Sequence, residues 1–376
     1  MSSGTTASTV RVGLSVWLLG FPGAAAASNY GLNLPVGVTE ISSRVYGLHM
    51  LVFWICVAIG IVVFSAMFYS ILRHRKSLGV KAARFHENTA VEVLWTLVPL
   101  SILVGMAIPA TRVLIAMEDT SASDMTVKVT GYQWKWHYEY LDEEVSFFSN
   151  LATPQEQILG LEEKGEHYLL EVDNPMVVPV GKRIRILLTA SDVIHAWWVP
   201  DLAIKRDAIP GFINEVWTRI DEPGVFRGQC AELCGRGHAF MPIVVVAKDE
   251  AGWQAWLEEQ RASKAADETL AMADWSMDDL MARGREVHET HCAACHQAGG
   301  EGIPGVFPAI QGSAIATGAL EEHLEIVIRG QPGTAMAAFG PQLSDADLAS
   351  VITYQRNAWG NDTGDVVTPA RIGSAR

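Results

Sequence analysis

The 376 residues are too many for one ordinary domain and leave room for two or three, each able to bury its own core. A formal net charge of -14 argues against a nucleic-acid partner and suits an acidic surface that attracts a basic protein by long-range steering. A hydrophobic content of 49% is high for a wholly water-soluble chain, so part of it is expected in lipid.

In chain order, residues 1–28 carry a single basic side chain, Arg11, followed by the apolar VGLSVWLLGF and the small-residue run GAAAAS. That order predicts a secretory signal with cleavage near Ala27; an unstructured or membrane-embedded N-terminus is the alternative. Residues 48–72 and 91–117 are apolar runs long enough to cross a bilayer, which takes about 20 residues. Between them stand Arg73, Arg75, Lys76, Lys81 and Arg84. The positive-inside rule puts this loop in the cytoplasm, so the runs form a helical hairpin and everything after about residue 118 is exported. Glu92 begins the second run, where a carboxylate suits a helix N-terminus. Cys56, inside the first run, reads as a small packing residue.

From Met125 to Ala247 the pattern changes to short β-branched and aromatic runs with a period of two, broken by Gly and Pro, which predicts an antiparallel sandwich or barrel. Residues 248 to about 275 are acidic and Ala-rich, as in a short helix followed by a linker. Ser276 with Asp279, and Ser344 with Asp347, have capping-box spacing and bracket a small helical domain that ends near Gly360. The remaining NDTGDVVTPARIGSAR has no periodicity and is expected to be disordered. The division is therefore a signal at 1–28, a segment with the hairpin at 29–117, a β domain at 118–247, a linker at 248–278, a helical domain at 279–360 and a tail at 361–376.

Two motifs carry chemistry. In GQCAELCGRGHAFM, Cys230, Cys234, His238 and Met241 follow one another at spacings of four, four and three. Thiolate and thioether are soft ligands and imidazole is intermediate, a set that selects copper over hard cations. A Cys2His2 zinc site built with a distant histidine is the alternative. Zinc has no use for the methionine, however, and an exported β domain is a usual home for copper electron carriers. Two thiolates on one loop can bridge two coppers, each of which then needs one imidazole and one weak ligand. SDVIHAWWVPDLAIK offers His195 as the second imidazole. In HCAACHQ, Cys292, Cys295 and His296 have the attachment pattern of c-type haem, although a thioredoxin-like or zinc CxxC can precede a histidine by chance. Gly284 would let the first helix of this domain approach the last, with Tyr354 packing on it. A sixth haem ligand is expected on a downstream loop, and GTAMAAFG offers Met336; Met272, Met277 and Met281 precede the motif and suit the role poorly. His137 has no partner pattern and reads as a surface histidine.

HAWWVPDLAIKRDAIPG followed by GQCAELCGRGHAFM, with VTGYQWKWHYEY and both apolar runs before them, resembles subunit II of the haem-copper cytochrome c oxidases over about residues 30–247. Residues 280–360 resemble a class I cytochrome c domain. The implied fold is a two-helix transmembrane hairpin, an all-β cupredoxin sandwich and a small all-α cytochrome c domain. The resemblance implies a binuclear copper centre bridged by Cys230 and Cys234, with His195 and His238 giving one imidazole each, Met241 an axial thioether and Glu232 its backbone carbonyl. It implies that the Glu232 side chain reaches a magnesium at the interface with the catalytic subunit. It makes Trp134 the ring through which electrons enter the copper centre, and Glu92, in VEVLWT, the mouth of a proton path. His296 and Met336 become the axial ligands of covalently bound haem c, and Pro308 accepts a hydrogen bond from the proximal imidazole. Ala337 departs from the commoner pattern, which has Pro after the distal methionine. Trp197 and Trp198 are expected in packing and interface.

The implied function is that of an electron-accepting subunit of a proton-pumping terminal oxidase. Electrons would pass from an external cytochrome c or similar donor to the haem, then to the copper pair, then to catalytic subunit I, where oxygen is reduced to water. The implied setting is a bacterial inner membrane, with the copper and haem domains on the periplasmic side, among lipid and other oxidase subunits. The chain lacks the many membrane histidines that an oxygen-reducing site needs. Nitrous oxide reductase shares the copper motif but carries a large His-rich propeller, absent here. A copper chaperone or free-standing electron carrier is the non-enzyme alternative. Quinol-oxidising relatives lack the copper ligands.

Overall fold

A computed structural model describes residues 33–376 apart from 82, 85, 332, 333 and 335. The expected signal and its cleavage near Ala27 lie outside the described residues.

Two long helices come first, α1 (Glu40–Arg73) and α2 (Thr89–Glu118), both apolar enough to cross a membrane. Each extends beyond its apolar run because local capping and docking take over at the ends. At the start of α1, Thr39 and Ser42 form a reciprocal capping box, and Ile41 and Ser42 are buried. The Val38 amide just before donates to the Asp201 carbonyl at 3.0 Å. At the far end of α2, the Trp217 indole donates to the Ala116 carbonyl at 3.0 Å and Arg206 pairs with Glu118 at 3.0 Å. The Glu40 end of α1 and the Glu118 end of α2 are thus seated on the domain that follows. Between these ends most large apolar side chains are exposed in this chain, as expected where lipid or another subunit covers them.

The β domain is a sandwich. One sheet runs β3 (Val145–Ser149), β2 (Lys135–Tyr140), β1 (Met125–Tyr132), β5 (Ile184–Ala190) and β8 (Asn214–Thr218). The other runs β4 (Met176–Pro179), β10 (Pro242–Lys248), β9 (Gly224–Cys230), β6 (His195–Val199) and β7 (Ile204–Ala208). Pairing is antiparallel except β1 with β5 and β4 with β10, which are parallel, a mixture that the alternating pattern by itself does not announce. Period-two alternation sends Trp136, Tyr138 and Tyr140 of β2, Val127 and Val129 of β1, and Ile184, Ile186 and Leu188 of β5 into one core. A one-turn helix, α3 (Gln155–Ile158), lies in the long β3–β4 connection.

The linker is structured. Helix α4 (Glu250–Ala271) is capped by Asp249, whose carboxylate accepts from the Gly252 amide at 2.8 Å. Trp253, Trp256 and Leu257 share one helix face and are buried against the sandwich, with the Trp256 ring centroid 5.1 Å from that of Tyr140. Apolar burial therefore fixes the first half of this segment, while its Ala-rich remainder is exposed.

The C-terminal domain comprises α5 (Met277–His291), α6 (Ala293–His296), α7 (Ala314–Thr317), α8 (Leu320–Arg329), α9 (Asp345–Asn357) and α10 (Pro369–Gly373). Ser276 and Asp279 cap α5 reciprocally, and Ser344 caps α9, as their spacing predicts. The α5–α9 crossing is close at Gly284, where an added Cβ would lie 2.1 Å from the Ser350 carbonyl oxygen. Residues 361–376 correct the expectation of a disordered tail. Val367 and Ile372 are buried against the α9 core, Thr368 caps α10, and Arg376 donates to the Leu343 carbonyl at 2.7 Å. The segment is too short to show periodicity, but two apolar side chains and a cap are enough to order it.

Candidate functional site

Strand ends build the first cluster. His195 opens β6, Cys230 closes β9, His238 starts a short 3-10 turn, and Met241 stands immediately before β10. Paired strands hold these ends, so the intervening loop returns its side chains to one point. Cys230 Sγ and Cys234 Sγ are 3.8 Å apart. His195 Nδ1 is 4.0 Å from Cys230 Sγ, and His238 Nδ1 is 3.6 Å from Cys234 Sγ. Met241 Sδ lies 3.5 Å from Cys234 Sγ, and the Glu232 carbonyl oxygen 3.3 Å from Cys230 Sγ. The Glu232 side chain is exposed, whereas His195, Cys230, Cys234 and Met241 are buried and His238 is half-buried. Among the described residues, His195, Cys230 and Cys234 form a group able to hold a metal, their ligand atoms all within 4.8 Å of one another.

The electrostatics suit a cation between the sulfurs. Burial raises both thiols, yet His195 and the Ala196 and Glu232 amides bring Cys230 down to about 6. Burial pushes Cys234 up to about 12, aided by the neighbouring Cys230, because its ionisation would set a second negative charge beside the first. One thiolate is therefore available near neutral pH, and the second calls for a positive charge. Burial also opposes charge on His195, but Asp192, whose Oδ1 is 2.9 Å from His195 Nε2, outweighs it and keeps the imidazole above its ordinary value. This carboxylate leaves Nδ1 facing the sulfurs, the usual supporting arrangement for a metal-binding histidine.

Several supporting residues went unnoticed in the sequence. A Cβ at Gly131 would lie 2.8 Å from His195 Cδ2, so glycine makes room for the imidazole. A Cβ at Gly237 would lie 2.3 Å from Trp134 Cδ2, so glycine lets the loop from Cys234 to His238 lie close on that ring. Trp134 is half-buried, and its indole donates to the Cys234 carbonyl at 3.1 Å; Gln133 Nε2 donates to the same oxygen at 2.9 Å. Only Asp192, three residues before His195, had a recognisable signal, that of a carboxylate close to a ligand-type histidine.

In the helical domain Cys292 ends α5, and Cys295 and His296 lie in the next turn, α6. His296 Nδ1 is 2.8 Å from the Pro308 carbonyl oxygen. Cys292 and Met336 both pack, partly buried, against the core of this domain. Burial pushes the Cys292 thiol up to about 12, as expected of a side chain in an apolar crevice. Met272 is 89% exposed, unsuited to a crevice.

The Glu92 carboxylate accepts from the Asn88 amide at 3.2 Å in the first turn of α2. Trp197 is buried and donates to the Tyr138 hydroxyl at 3.4 Å, and Trp198 is half-buried. Cys56 lies on the exposed surface of α1. His137 is not a free surface side chain. Strand β3 pairs Phe148 opposite it, and the two ring centroids are 4.4 Å apart.

An apolar helical hairpin, a cupredoxin-type sandwich with a sulfur- and imidazole-rich end, and a helical domain with a CxxCH turn define a membrane-anchored subunit of redox type. Family models agree over each part: "Cytochrome C oxidase subunit II, transmembrane domain" over residues 27–113, "Cytochrome C oxidase subunit II, periplasmic domain" over 125–248, and "Cytochrome C oxidase, cbb3-type, subunit III" over 279–354. The chain is 37% identical to cytochrome c oxidase subunit 2 of Cereibacter sphaeroides over 61% of its own length and 80% of that protein. It is 35% identical to cytochrome c oxidase subunit 2 of Cyanidium caldarium over 62% of its length and 92% of the relative. The crystal structure of the periplasmic domain of subunit II of cytochrome oxidase from Bradyrhizobium japonicum matches with 42% identity and a TM-score of 0.34, covering 38% of this chain and 96% of that one. The chain belongs to the cytochrome c oxidase subunit II family and carries a cytochrome c domain at its C-terminal end. These two families imply copper and haem c.

Proposed function

We propose that Cys230 and Cys234 hold two coppers between them, with His195 and His238 as imidazole ligands, Met241 as the thioether and Glu232 as the carbonyl ligand. Cys292 and Cys295 attach a haem, His296 and Met336 ligate its iron, and the exposed Glu232 carboxylate is free to meet a magnesium at the catalytic subunit. Bound there, the copper pair and the haem supply one-electron redox chemistry at constant ligation. Electrons from an external cytochrome c or similar donor cross this chain to catalytic subunit I, where oxygen is reduced to water and protons are pumped. The residues of the chain prepare that transfer. Asp192 holds His195 in one tautomer and orientation, Pro308 does the same for His296, and the buried strand ends keep the ligands from rearranging when charge changes. Trp134, in contact with the metal-binding loop, is the ring through which electrons enter it, and Glu92 marks the cytoplasmic mouth of a proton path. The complex sits in a bacterial inner membrane, crossed twice by this chain, with residues 118–376 on the periplasmic side and domain limits at 247 and 278.

The observation that carries this reading is the convergence of two thiols, two imidazoles and a thioether, each within 4.0 Å of a cysteine sulfur. Zinc would use neither the thioether nor the second thiolate as a bridge. Metal analysis and optical spectra of the detergent-solubilised full chain provide the test. Two coppers per haem iron, a c-type haem spectrum and a thiolate-to-copper band are expected, with Cys230→Ser losing the copper band and keeping the haem. One zinc per chain and no copper after reconstitution would end the copper reading.

A further inference from the structure

The Trp134 side of the sandwich does not face solvent alone, because the C-terminal domain touches it at two points. At the first, Arg236, in the loop between Cys234 and His238, places its guanidinium carbon 5.6 Å from the Trp134 ring centroid and 4.4 Å from that of Phe307, the residue before Pro308. At the second, Lys135 lies 9% exposed with its amine 5.3 Å from the Phe148 centroid and 5.4 Å from that of Phe339, and it donates to Gln342 Oε1. Phe339 and Gln342 belong to the loop that carries Met336. The CxxCH turn is on the same side. His296 Nδ1 is 2.8 Å from the carbonyl oxygen of Pro308, the residue after Phe307.

These contacts differ in kind. A cation over an aromatic face is attracted to it but tolerates sliding, so Arg236 supplies adhesion with little direction. A buried ammonium is costly unless acceptors meet its hydrogens. Desolvation pulls the Lys135 amine down to about 8, which shows how unwelcome its charge is there. A shift of the helical domain by a few ångströms that kept it over the amine would take Gln342 out of reach. Lys135 therefore penalises displaced arrangements more than it rewards contact.

We propose that Lys135 and Gln342 set the register, and Arg236 with Phe307 the adhesion, of a docked haem-bearing domain whose CxxCH side is held against Trp134. Docking closes this face to a free cytochrome, so an outside donor must be received on the surface of the helical domain itself. The inference rests on the reading that the two domains carry haem and copper, but the contacts are testable apart from it. The experiment measures hydrogen–deuterium exchange of residues 303–309 and 337–343 in the full chain within its oxidase complex, together with haem-to-copper transfer after photoreduction. Gln342→Leu strips the acceptor from a buried amine and is expected to lower protection of both segments about ten-fold, with transfer slowing in step. Lys135→Met removes the charge and the need for an acceptor, so the double variant is expected to regain protection. Arg236→Ala loosens both segments, and Arg236→Lys restores part of the loss. Wild-type protection in Gln342→Leu, or a double variant no better protected than the single one, overturns the proposal. Exchange needs neither haem nor copper turnover, so a wild-type protein lacking either cofactor would overturn the underlying reading and leave the exchange result to judge the docking separately.

Discussion

Gly284→Ala should unfold the helical domain at a lower temperature while leaving the sandwich alone. An alanine Cβ at this point of α5 would lie 2.1 Å from the Ser350 oxygen, 2.6 Å from the Ser350 carbonyl carbon and 2.6 Å from Tyr354 Cβ, all on α9. Relief needs the two helices to part by about 1 Å in a close-packed interior. Overpacking costs about 1–3 kcal/mol, and the upper end applies because two of the three obstacles are backbone atoms that cannot rotate away. Alanine recovers about 1 kcal/mol of helix propensity over glycine, which leaves a net loss of about 2 kcal/mol. For a domain of roughly 100 residues this lowers the melting temperature by about 8–16 °C. Scanning calorimetry of the purified chain, with the haem absorbance followed in parallel, separates this transition from that of the sandwich. A melting temperature within about 2 °C of wild type, or above it, would mean that α5 and α9 do not cross at Gly284 as described.

Glu92→Gln keeps an acceptor for the Asn88 amide and so leaves the start of α2 intact, but it removes the charge. Oxygen turnover and proton uptake should fall several-fold with haem and copper reduction unchanged; normal turnover would reduce Glu92 to a helix cap. Met336→Ala takes away the proposed distal haem ligand and should slow copper reduction by the natural donor without altering the copper spectrum. In stopped-flow traces of that variant, copper reduced at the wild-type rate before any haem signal would show that the relay order is wrong.

What the sequence made legible was chemistry encoded in residue type at short range. Cys230, Cys234, His238 and Met241 lie within 12 residues, so their spacing alone suggests one soft site, and Cys292, Cys295 and His296 lie closer still. Helix caps at Ser276 and Ser344 were legible for the same reason. Features that depend on how distant surfaces meet were not. The composition of residues 248–275 announces a short helix, but not that Trp253 and Trp256 seat it on the sandwich, which takes Tyr140 waiting for them. Val367 and Ile372 carry too little pattern to announce that they seal α9, and His137 is half-buried because β3 brings Phe148 across from it.

The same distinction explains why the ligand set and its docking surface have such different signatures. The proposed copper loop must keep its donors fixed through a change of charge, and strand ends, buried sulfur and two glycines that let His195 and Trp134 lie close serve that end. Most of its donors, Cys230, Cys234, His238 and Met241, stand within a dozen consecutive residues, while His195 and Gly131 come from two other strands. Holding a second domain in one orientation requires a penalty for every other orientation, and a buried amine facing a single side-chain amide supplies it. Lys135 and Gln342 are 207 positions apart and each is ordinary in its own neighbourhood. Their meaning arises only when the two domains meet, and it is there, beside Trp134, that a tethered electron carrier becomes a positioned one.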